Sequence, residues 1–250
     1  MIFIFKKNTI QLDCFVREEF AYVAEYSPIV KASKFLPEWF KNLPNLNPKK
    51  FLDNKDIDPM ALGINVKYCV GINTTLTSGF IQPLWSEMYF ESNEKLWRYQ
   101  FADKKSILEW HANSQTPGYV ENYNIFKFNS PWIIKASKAS ALLTLPPIYH
   151  TGLNTPYRQL HGIYETRTKQ NIFHMNTFIL FKKKEVRTIL PLNTPITHMI
   201  PMGGEKVEIK CHVDTREYAR LGSLMNNPIT FTASATASQK LVCERLKNEM

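Results

Sequence analysis

Between Ala61 and Pro201, short runs of β-branched and aromatic residues recur between turn signals, and few stretches carry a helical period. Candidate strands fall at 64–72, 76–90, 95–102, 106–111, 123–128, 131–136, 141–145, 157–167, 172–182, 186–192 and 195–200. So many short strands in one body predict a mainly β fold, a β-sandwich or jelly-roll-like domain, rather than a parallel α/β sheet. Upstream, Ile2–Phe5 and Leu12–Val16 read as strands, and Ser27-Pro28 opens a short amphipathic segment with Ile29, Phe35, Trp39 and Phe40. Leu43–Pro59 is a loop rich in Asn, Lys, Asp and Pro. Residues 1–60 are therefore expected to form an N-terminal helical arm and loop packed on a β body over 61–204. Beyond 204 the character changes. Thr215–Asn226 and Ala235–Asn248 predict C-terminal helices, the second with Leu241, Val242 and Leu246 on one stripe. The whole is expected to be a single β-rich domain over 1–250.

Composition narrows the classes without choosing a function. The chain has 250 residues, 44% hydrophobic and 21% charged, which excludes bulk disorder, and 9 glycines exclude collagen-like sequence. Its 31 basic and 22 acidic residues leave +9, with Lys far commoner than Arg. Lys-rich charge fits phosphate and guanine edges less well than the planar Arg fork does. The densest basic run, Lys182–Lys184, falls where a hairpin tip is expected, solvated or else contacting nucleic acid or an acidic surface. Cys14, Cys69, Cys211 and Cys243 form no CxxC pair, so zinc-ribbon and thioredoxin-like motifs are missing. The start MIFIFKK puts its charges after a short apolar run, the reverse of a signal peptide. No stretch approaches the roughly 18 apolar residues of a membrane span. A soluble protein with no membrane partner is expected.

GxGxxG, GxxxxGK[ST], HExxH, GxSxG and the zinc-deaminase pattern are all missing, so catalytic residues stay unassigned. His212-Val213-Asp214 matches the first part of a facial iron triad, but no histidine follows it, and a turn before the Thr215 helix is the plainer reading. A hairpin over 157–182 turning at Lys169-Gln170 would set Glu165 opposite His174 and Tyr164 opposite Met175. Glu165 and His174 could then supply two ligands to a divalent metal, with His161 on the same face about 13 Å along the strand. The alternative is an ordinary His–Glu pair on a solvated face. For a ligand, His111 and Gln115 sit in a polar turn after a strand, and Trp85 and Trp132 could offer ring faces, although strand aromatics usually serve the core. His198 alternates with Ile196 and Ile200 and reads as a core histidine.

Five segments occur in a distinctive order: TSGFIQPLW (77–85), HANSQ (111–115), FKFNSPW (126–132), RQLHGIYET (158–166) and NTPITHMIP (193–201). Across about 12–205 the chain resembles an uncharacterised family encoded by tailed bacteriophages, notably marine T4-like ones, and by some bacteria. The resemblance implies a phage or phage-like origin, a β-rich fold and a place in the host cytoplasm or the virion; it implies no activity. The expected function is a non-enzymatic phage-type binding or assembly protein, as a homo-oligomer or with a phage or host protein. A jelly-roll, cupin-like metal enzyme using His161, Glu165 and His174 is the alternative. A nucleic-acid-binding protein, resting on the charge and the aromatics, is the second.

Overall fold

The computed structural model describes residues 8–45, 65–93, 96–111, 122–152, 155–166 and 170–226. Its architecture is mainly β, with four sheets closing on a shared core. In β1 (Thr9–Val16), Ile10, Leu12, Cys14 and Val16 are fully buried while the residues between them are half-exposed, the period-two pattern of a strand with one face in the core. β1 is flanked by antiparallel β8 (Ile133–Ala136) and parallel β16 (Lys206–Val213), and β12 (Ile172–His174) extends the sheet beyond β8. Sequence patterning did not single out β16, although its pairing with β1 runs from Thr9 opposite Lys206 to Val16 opposite Val213.

The second sheet runs in the order β10 (Tyr157–Gln159), β13 (Thr177–Lys182), β7 (Tyr123–Phe128) and β6 (Leu108–His111). The third comprises β11 (Gly162–Glu165), β9 (Ala141–Leu145), β15 (Pro195–Pro201), β3 (Phe80–Pro83) and β2 (Val30–Lys31). β14 (Val186–Leu190), β4 (Met88–Ser92) and β5 (Trp97–Phe101) form the fourth. Inner faces of all four sheets supply one apolar cluster, in which Phe90 of β4 stacks on Phe181 of β13 with ring centroids 3.7 Å apart. Gly79, just before β3, has φ +74°, and a Cβ there would lie 1.9 Å from the Met199 carbonyl oxygen. Only a glycine allows this close approach of backbone to backbone.

Helices fill the flanks. Among the described residues they are α1 (Ala21–Tyr26), α2 (Glu38–Lys41), α3 (Val70–Thr77), α4 (Ile148–Thr151) and α5 (Thr215–Asn226). The α5 range matches the sequence expectation. The Asp214 carboxylate accepts from the Glu217 amide at 2.8 Å, capping the helix start, and Leu221 packs with Ile133 and Ile172 on the outer side of the β1 sheet. The expected strand at 64–72 is instead a 3₁₀ turn (Val66–Tyr68) leading into α3. Local polar bonds explain the change. The Asn65 side chain accepts from the Lys67 amide, while the Thr75 and Thr77 hydroxyls bond back to the carbonyls of Gly71 and Asn73. The expected strand Ile2–Phe5 and helix Ala235–Asn248 lie outside the described residues.

Candidate functional site

The hairpin expected over 157–182 holds for its outer ends alone. Tyr157 faces Phe181, Arg158 faces Leu180 and Gln159 faces Ile179. At Leu160-His161 the chain leaves that sheet. β11 then pairs with β9, placing Glu165 opposite Ala141, whereas β12 pairs with β8, placing His174 opposite Ile133. Glu165 and His174 therefore belong to different sheets, and the expected facing pair is corrected. His161 sits exposed in the connection. Among the described residues, no group of three His, Cys, Asp or Glu side chains is placed to hold a metal ion. His174 instead uses Nδ1 toward the Trp132 carbonyl at 3.2 Å and packs edge-on to Tyr218 of α5.

The tryptophans proposed from sequence as ring platforms are also corrected. Trp85 is 1% exposed and donates its Nε1–H to the Ser106 hydroxyl at 2.7 Å, and Trp132 is 0% exposed. Both are core residues, though Trp85 and His174 reach the wall of a small cavity of about 240 Å³. His111 ends β6 with its ring edge-on to Phe178 at 5.0 Å, and Gln115 lies outside the described residues. His198 is buried and donates from Nε2 to the Ser78 carbonyl at 2.8 Å. His212 lies in β16 rather than a turn, 3.0 Å from the Asp13 carboxylate and stacked on Phe15. Burial alone would raise the Asp13 carboxyl, but hydrogen bonds from His212 and Gln11 outweigh it and hold the group below its ordinary value. With Asp214 capping α5, both ends of the HxD motif serve the fold.

His161 is the one expected metal ligand that lines a sizeable cleft. This cleft, of about 530 Å³, opens beside β10, the edge strand of its sheet. Alternation along β10 turns Tyr157 and Gln159 toward the core and Arg158 toward the outer face. Leu160 joins Tyr123, Ile125 and Leu180 in a satellite apolar cluster, separate from the main core. Pro146, Pro147 and α4 complete the lining. α4 is fixed from the N-terminal part of the chain: Trp39 donates to the Tyr149 carbonyl at 2.6 Å, and His150 bonds the Phe35 carbonyl at 2.7 Å through Nε2.

A second concavity, about 590 Å³, is lined by Asn122, Tyr123 and Lys182–Lys184, so Tyr123 belongs to both. The Arg158 guanidinium lies 5.9 Å from the Tyr123 ring centroid, a cation–π arrangement. Among the described lining residues of the two concavities there are four permanent cations and no carboxylate. On the core side of β10, the Tyr157 hydroxyl and the Gln159 Oε1 are buried with no hydrogen-bond partner among the described residues. Burial pushes the Tyr157 phenol up to about 12, so it remains a proton donor at neutral pH. The arrangement combines an apolar floor with cationic sides, which suits an anionic ligand. Sequence reasoning found His161 and the lysine run but missed Tyr123, Tyr157, Arg158 and Gln159. The missing signal was long-range, because these residues meet only once β10, β7 and α4 are assembled.

Compared with protein-family models, curated proteins and solved structures, the chain matches none.

Proposed function

We propose that this is a phage-type binding protein, without catalytic chemistry of its own, whose β body holds an anionic ligand in the cleft beside β10. Its phage-type origin rests on the resemblance across residues 12–205. The observation that carries the binding reading is the cleft itself: about 530 Å³, within the size range of small-molecule sites, with Arg158 and His161 and no carboxylate among its described lining residues. A guanidinium over an apolar floor, with no carboxylate among the described lining residues, attracts a negative group and discriminates against a positive one.

Thermal unfolding with inorganic polyphosphate tests this, with the polycation spermine as the control. Ligand at about 100 times its Kd should stabilise the fold by about 2.7 kcal/mol, a rise in Tm of about 5 °C or more for a chain of this size. Spermine should give no rise, and Arg158→Ala should remove most of the polyphosphate effect. A rise of the same size in Arg158→Ala would place the anion elsewhere and overturn the reading.

A further inference from the structure

We infer that the ligand is a single-stranded nucleic acid, crossing from the β10 cleft over Tyr123 to the Lys182–Lys184 turn. The inference rests on the anion-binding reading above and specifies its ligand class. Strand register puts Tyr123 opposite Lys182, Ile125 opposite Leu180 and His111, and Phe178 opposite Lys127, all on the outer face of one antiparallel sheet. Phe178 is 37% exposed with the His111 ring against its edge, and Tyr123 stands where the two concavities meet. Aromatic rings on a sheet face, flanked by cations, are the physical requirement for stacking unpaired bases while neutralising their phosphates.

Charge placement favours a strand over a compact anion. Lys127 is taken up by Glu109 at 2.5 Å, which leaves Arg158, against the Tyr123 ring, and the lysine turn, beginning opposite Tyr123, as the cations at this ring. Cations in two adjoining concavities that share one ring fit successive phosphates with a base at that ring. The lysines also answer the low Arg content: sequence-independent strand binding needs phosphate neutralisation and ring faces, not the bidentate fork that reads guanine.

Fluorescence anisotropy with a short labelled oligothymidylate tests the inference, with inorganic polyphosphate and a DNA duplex as competitors. The variants are Tyr123→Leu, Tyr123→Phe and the triple change Lys182→Ala, Lys183→Ala, Lys184→Ala, each checked by circular dichroism. Tyr123→Leu should weaken binding about tenfold, and Tyr123→Phe, which keeps the ring, should restore it. The triple lysine variant should lower the slope of log affinity against log salt by about 2, from three phosphate contacts. If polyphosphate binds but the oligonucleotide gains nothing from Tyr123, the ligand class is wrong and the anion cleft stands. Duplex binding as tight as single-strand binding would also overturn the class. Failure of both anions to bind would overturn this inference and the reading it rests on.

Discussion

At His198 the course of β15 carries a titratable ring into the core, where its Nε2–H meets the Ser78 carbonyl. Burial holds His198 below the ordinary histidine value, and does the same at His150, where the nearby His198 adds to the effect. In the unfolded chain both rings protonate near pH 6.5. Below that pH the unfolded state binds more protons than the folded one, so stability falls with pH until the lower folded values are reached. The depressed carboxylates Asp13 and Asp103 act in a separate window, since their contribution is lost only as pH falls below about 4. Tm should therefore be level above about pH 7 and decline between pH 6.5 and 5. His198→Gln, which retains an N–H donor, should flatten part of that decline. An unchanged Tm from pH 7 to 5 would contradict the burial of both rings.

Elements that declare themselves locally were legible in the sequence. β7 and β9 fall on the expected residues, and so does α5, because Asp214 caps it and its apolar stripe has a helical period. Two misreadings have physical causes. Residues 64–72 carry β-branched side chains, yet side-chain-to-backbone bonds by Asn65, Thr75 and Thr77 favour helical turns. β16 does alternate, but its partner is β1 at the other end of the chain, and only Val207 on its inner side is well buried. The candidate site was less legible, because Glu165 and His174 look paired in a hairpin until β11 and β12 diverge to separate sheets. Gly79, at the close approach of β3 to β15, makes a sharp prediction. Gly79→Ala should cost roughly 3 kcal/mol or more, from the disallowed φ together with the collision at Met199. Chemical denaturation should show a lower midpoint, whereas Gly162→Ala should be nearly neutral, since a Cβ there meets nothing within 4 Å.

For the molecule as a whole, parallel pairing of β1 with β16 brings segments far apart in sequence into one sheet, while the N-terminal residues Phe35 and Trp39 brace α4. That bracing places Pro146, Pro147 and α4 along the β10 edge, so the cleft is a product of the assembled fold rather than of any one motif. On the proposed reading, the +9 charge of the chain would draw anions in at long range, and a lining without a carboxylate among its described residues would hold them. No helix among the described residues is long and apolar enough to cross a membrane. The most direct test of the account is an amide NMR titration with inorganic polyphosphate. Saturable shifts should concentrate at Tyr123, Arg158, Leu160, His161, Leu180 and Lys182–Lys184, leaving β1 and β16 unmoved. Shifts centred instead on the Trp85–His174 cavity, or no saturable shifts, would contradict a ligand site beside β10.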